Sequence, residues 1–143
     1  MAKTDLYIFD TNTLISAFLI SGSVAFFALE KAIANGTLVF STETFAEFEQ
    51  VLFRKKFDKY FSEQERIQII ERLAHVSIFI KPLSNGSYCR DPDDDKLLNL
   101  AIDISAYCIV SGDNDLLVLH PFKNIPIIKA SVFRDLFADD IKQ

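Results

Sequence analysis

A chain of 143 residues with 50% hydrophobic and 24% charged residues, and only four Gly and four Pro, is long enough to bury one core and excludes a disordered or fibrous protein. No apolar run approaches the roughly 20 residues of a membrane span, and MAKTDLYIFD turns acidic too early for a signal peptide, so a cytoplasmic protein without a membrane partner is expected. The net charge of −5 excludes polyanion binding by bulk charge alone and makes any nucleic-acid role depend on local basic residues or bound cations.

The predicted elements alternate along the chain, and one domain over 1–143 accounts for all of them. Leu6 to Phe9 form an apolar strand ending at Asp10, and a helical pattern runs from Thr13 to Phe18. SVAFFALEKAIANG, 23–36, predicts a helix opened by Ser23 and closed by Gly36 in a left-handed cap. TLVFS, 37–41, predicts a strand, and the spacing of Phe45, Phe48, Val51 and Leu52 predicts the next helix. Past the basic turn RKKFDKYF, Ser62 and Glu65 have capping-box spacing at the head of SEQERIQIIERLAH, 62–75. VSIFI, 76–80, predicts a strand that PLSNG interrupts. There follow a helix over DDDKLLNLAIDISA, 93–106, a strand YCIVS, 107–111, a short helix NDLLVLH, 114–120, a strand IPII, 125–128, and a helix SVFRDLFADD, 131–140, begun by Ser131. Strands alternating with helices require crossover connections, so the predicted fold class is α/β, with a mainly parallel sheet between two helical layers.

In open parallel sheets, ligands sit beyond the carboxyl ends of the strands. Asp10 follows one strand and Asp113 another, so neighbouring strands would bring the two together. With Leu97, Leu98, Ala101 and Ile104 as the buried stripe of their helix, Asp94 falls within the stripe one turn earlier and points inward. On the helix TFAEFEQVLF, Glu47 and Glu49 flank opposite edges of the apolar face, and wheel geometry does not choose between them. Glu47 also has capping-box spacing from Thr44, and Asp10, Asp94 and Asp113 could each be an ordinary cap, first-turn acid or turn residue. Carboxylates gathered without an interleaved Lys or His repel one another unless a divalent ion compensates, and oxygen-only ligands suit Mg²⁺ or Mn²⁺. Such a site can polarise a phosphodiester and activate water against it.

FDTN, 9–12, STETFAEFEQVL, 41–52, RDPDDDKLLNLAI, 90–102, and IVSGDNDLL, 109–117, occurring in this order, resemble the motifs of PIN-domain ribonucleases, most of all the toxin components of toxin–antitoxin pairs. The resemblance implies a three-layer α/β/α fold and Mg²⁺- or Mn²⁺-dependent endonucleolytic cleavage of RNA. Residue by residue, it places the catalytic, metal-holding acids at Asp10, Glu47, Asp94 and Asp113, with Asp115 as a secondary metal ligand and Asn12 and Ser111 as supporting hydrogen-bonding residues. The sequence has SGD where many relatives have TGD or TRD, which keeps the hydroxyl. An antitoxin protein is the partner so implied. Phe53, Phe57 and Tyr60 are candidates for its docking surface or for a homodimer interface.

Other residues carry less. RKKF, 54–57, reads equally as an RNA-backbone contact or a solvated helix end, and Cys89, Cys108, His75 and His120 lie in no metal or thiol pattern. A haloacid-dehalogenase-like phosphatase wants a second Asp where Asn12 stands, and a signalling receiver wants a phosphoacceptor where VSIFI runs into KPLSNG. A PIN-like module that binds RNA or protein without cutting is the alternative function.

Overall fold

The structure, a computed structural model, describes residues 5–137, so MAKT and the end of the predicted closing helix, 138–140, lie outside the described residues. The elements run β1 (Leu6–Phe9), α1 (Thr11–Leu19), α2 (Val24–Asn35), β2 (Thr37–Phe40), α3 (Thr42–Leu52), α4 (Glu63–Val76), β3 (Ser77–Phe79), α5 (Asp95–Ile104), β4 (Cys108–Val110), α6 (Asn114–Leu117), β5 (Ile127–Ile128) and α7 (Ala130–Asp135), with 3₁₀ turns at Lys55–Phe57 and Pro92–Asp94. All strand pairs are parallel, in the order β3-β2-β1-β4-β5. The α/β/α architecture follows from the alternation within β1. Tyr7 and Phe9 enter one apolar layer with α1, α2 and α3, while Ile8 enters the opposite layer with Leu97, Leu98 and Ala101 of α5.

No single helix among the described residues is long and apolar enough to cross a membrane. Ser23 and Ser62 cap their helices as expected, the latter in a capping box with Glu65. Gly36 differs from the expectation. It is extended, with φ −164° and ψ −151°, so it forms no left-handed cap. A Cβ there would collide with the Tyr7 ring and stand 2.6 Å from the Asp5 carbonyl oxygen; glycine is required by the close approach of two chain segments rather than by a turn.

Phe57 differs too. It is buried, packed near Phe61 beneath the 3₁₀ turn, which leaves only Phe53 and Tyr60 of the proposed docking trio exposed. The same region hides a residue that periodicity does not mark. Arg66 on α4 is 5% exposed, because its Nε donates to the Leu52 carbonyl at 2.8 Å and its guanidinium pairs with Asp58 at 3.0 Å and covers the Phe53 ring. It closes the C-terminal end of α3, where carbonyls otherwise lack partners.

Candidate functional site

The strand order reverses at β1: β2 and β3 extend the sheet to one side, β4 and β5 to the other. A crevice opens at such a point between the two central strands. The register pairs Phe9 with Val110, and the Asp10 amide donates to the Val110 carbonyl at 3.0 Å. Asp10 and the Ser111-Gly112-Asp113 turn therefore leave the sheet side by side.

Asp10 is 6% exposed and is the N-cap of α1, its Oδ1 accepting the Thr13 amide at 2.8 Å. The cap does not use up the carboxylate, because Oδ2 faces Ser111 and accepts a short hydrogen bond from its hydroxyl. Ser111, fully buried, also accepts the Asp113 amide at 3.0 Å, so one hydroxyl holds both acid-bearing segments. Asp113 in turn caps α6, accepting the Asp115 amide at 2.9 Å. Burial is the main force raising the pKa of Asp10; the bonds from Ser111 and Thr13 lower it, and the charge of Asp113 raises it further.

Asp94 arrives from the opposite layer. It ends the 3₁₀ turn and precedes α5, which starts at Asp95 rather than at Asp93. Its side chain makes no capping bond and lines the acid cleft. Burial first, then the hydrogen bond and charge of Asp113, then Asp91 and Asp10, push its pKa up to about 7. A folded-state pKa above 3.8 means that the folded protein holds a proton the unfolded chain releases. Stability is thus lost as pH rises from 3.8 to about 7. In thermal melts across that window, Asp94→Asn should gain stability relative to wild type towards neutral pH; a constant difference would sink this account of Asp94.

The cleft, about 180 Å³, is lined by Asp10, Asn12, Glu47, Asp94 and Asp113, and also by Thr11, Arg54, Asp91 and Asp93. Of the two wheel candidates on α3, Glu47 reaches it and Glu49 does not line it. The capping box of α3 is formed by Ser41 and Thr44, so Thr44 and Glu47 do not make one. Glu47 is engaged by Thr11 Oγ1, which donates to Oε2 at 2.9 Å, and by Lys96 Nζ, 2.9 Å from Oε1. The expectation of acids with no interleaved lysine is thereby corrected: the lysine comes from the first turn of α5. Among the described residues, no three His, Cys, Asp or Glu side chains are arranged as a metal cage.

Asp115 lines a second and larger cleft, about 920 Å³, which shares Asp10, Asn12 and Asp113 with the first and includes Lys129. Cys89 is a free thiol whose Sγ lies 3.8 Å from Asp94 Oδ2 and 3.3 Å from the Asp115 carbonyl oxygen; burial raises its pKa. Sequence reasoning missed Lys96, Asp91 and Thr11. The one available signal was Lys96 itself, a cation in the first turn of a helix, where the dipole favours acids.

The sequence model of the PIN domain matches residues 7–115. The uncharacterized protein MJ1680 of Methanocaldococcus jannaschii is 34% identical over 117 residues, which cover 78% of this chain and 73% of that protein. Two solved structures share the fold. VapBC2 from Rickettsia felis, solved bound to a DNA fragment from their promoter, has TM-score 0.60 at 14% identity, over 85% of this chain and 96% of that one. PAE2754 from Pyrobaculum aerophilum has TM-score 0.62 at 15% identity, over 96% of this chain and 92% of that one. With the acid cleft at the switch point of a parallel sheet and the family's sequence pattern running from β1 through Asp115, the chain belongs to the PIN-domain family.

Proposed function

We propose that this PIN domain is a metal-dependent endoribonuclease that hydrolyses RNA phosphodiester bonds. The observation that carries the reading is the meeting of Asp10, Asp94 and Asp113 in one cleft at the β1/β4 crevice, where burial and the neighbouring carboxylates raise the pKa of Asp94. Carboxylates gathered in one cleft repel one another without a cation and form an oxygen-only donor set that fits Mg²⁺ or Mn²⁺. A divalent ion bound there supplies Lewis-acid polarisation of the phosphodiester and lowers the pKa of water.

The chain's own residues do the rest. Asp10, Asp94 and Asp113 would hold the ion, with Asp115 as a further acid in the larger cleft, while Glu47 is engaged by Thr11 and Lys96 beside them. Ser111 fixes the spacing of Asp10 and Asp113 through its two hydrogen bonds. Arg54, exposed at the cleft wall, offers a guanidinium to the RNA backbone. A toxin role controlled by an antitoxin protein completes the reading. It is supported by the order of the sequence motifs and by the fold shared with VapBC2.

The test is cleavage of a mixed single-stranded RNA pool by purified protein with Mn²⁺, with Mg²⁺ and with chelator. Cutting that requires the ion supports the nuclease. Metal binding by calorimetry without cutting under any condition would favour the non-catalytic binding module.

A further inference from the structure

We propose that Lys96 contacts the substrate: its ammonium, held by Glu47 at the rim of the acid cleft, takes a phosphate oxygen of single-stranded RNA. The proposal rests on the nuclease reading and assigns it a residue that the motifs did not.

Lys96 breaks a local rule. It stands second in α5, behind Asp93, Asp94 and Asp95, at the helix end where the dipole disfavours a cation. A purely structural first turn would carry another acid or a neutral residue, and such violations concentrate at functional sites. Nor is this a solvated surface pair. The Lys96 and Glu47 side chains are only 25% and 29% exposed, and they join α5 to α3 across the cleft wall at 2.9 Å.

The engagement of Glu47 divides the labour. Thr11 holds one carboxylate oxygen and Lys96 the other, so Glu47 serves as the seat of the ammonium, and the innermost acids are Asp10, Asp94 and Asp113. An ammonium has three donors. The contact with Glu47 occupies one and leaves others for a phosphate oxygen.

Lys96 stands between two acid-lined clefts. Glu47 lines the acid cleft, while Lys96 lines a neighbouring groove of about 470 Å³ whose wall carries the acids Glu43, Asp93 and Asp95 beside Asn85 and Ser87, so that Lys96 is the cation a phosphate would meet there. The ion pair is the divide between the two. Asn85 and Ser87 are exposed and can hydrogen-bond ribose and base edges, and a strand passing from cleft to groove crosses Lys96. In a chain of net charge −5, such a local cation is what a polyanion needs.

The test compares wild type with Lys96→Met, Lys96→Arg, Glu47→Gln and Asp10→Asn. Two readouts are binding of a labelled single-stranded RNA in Ca²⁺ over a salt series, and calorimetric titration with Mn²⁺ in the absence of RNA. Lys96→Met should bind RNA about tenfold more weakly, with a salt slope smaller by about 0.7. Its Mn²⁺ affinity should stay equal or rise, because a positive charge beside the acids has gone. Lys96→Arg should recover RNA binding. Glu47→Gln should keep Mn²⁺ affinity that Asp10→Asn loses.

If Lys96 only braces α3 against α5, Lys96→Met will weaken Mn²⁺ and RNA binding together and leave the salt slope unchanged; that result overturns the proposal. So does loss of Mn²⁺ binding in Glu47→Gln equal to that in Asp10→Asn, which would put Glu47 on the ion. Wild-type protein that cuts RNA while Lys96→Met binds RNA equally well overturns this inference alone. Wild-type protein that neither binds nor cuts overturns the nuclease reading with it.

Discussion

Asp10→Asn should lower RNA cleavage about a thousandfold while the protein stays folded and melts at the same temperature or higher. The rate loss corresponds to about 4 kcal/mol, the scale of charge stabilisation that a bound ion contributes. The stability follows from what Asp10 does in the fold. An Asn Oδ1 can still accept the Thr13 amide, and Asn is as good an N-cap as Asp. Its amide can donate to the Ser111 hydroxyl in place of the bond now running the other way. What disappears is a carboxylate whose charged form is disfavoured first by burial and also by Asp113. Rates measured with Mn²⁺, beside thermal melts in chelator, separate the two effects. Cleavage within a few-fold of wild type would remove Asp10 from the site, and a collapse of the melting temperature would make its role mainly structural.

The second large effect is expected at a residue that carries no charge. Ser111→Ala should weaken Mn²⁺ affinity by about 10–100-fold, the usual consequence of losing a group that orients ligands from behind. It should also cost about 1–3 kcal/mol of stability, because the partly buried Asp113 amide and the buried Asp10 Oδ2 lose their partner together. Alanine fits the space, so the change tests hydrogen bonding and not packing. Calorimetry reads the first quantity and urea unfolding the second. A stability loss with unchanged metal affinity would leave Ser111 a structural residue of β4 and separate it from the site.

These two residues show what is local information and what is not. That Asp10 and Asp113 follow apolar strands, and that Asp94 precedes an amphipathic helix, depends on periodicities of two and 3.6 residues, which a sequence displays directly. The helix caps at Ser23 and Ser62 are equally local, since each needs only residues three apart. The Glu47 or Glu49 choice was not local. Both lie at edges of the α3 stripe, and only the position of α5 across the cleft decides that Glu47 meets Lys96.

The corrections have the same origin. Gly36 was legible as a helix terminator, yet its conformation is set by Tyr7 and Asp5 on a different segment. Phe57 looked like part of an apolar surface, and the packing of the following turn buries it. Arg66 lies in no pattern that the sequence marks; its burial depends on the open carbonyl of Leu52, fourteen positions away.

The sequence by itself determined the α/β class, the positions of the acids beyond the ends of strands and the pattern of the PIN-domain family, because these depend on short-range periodicity and on motif order. Tertiary structure alone decided that β1 and β4 are neighbours at the point where the strand order reverses, that Ser111 binds Asp10 and Asp113 at once, and that a lysine from α5 sits against Glu47. Each of these brings together segments separated by tens of residues, and no local preference specifies such a meeting before the sheet has formed.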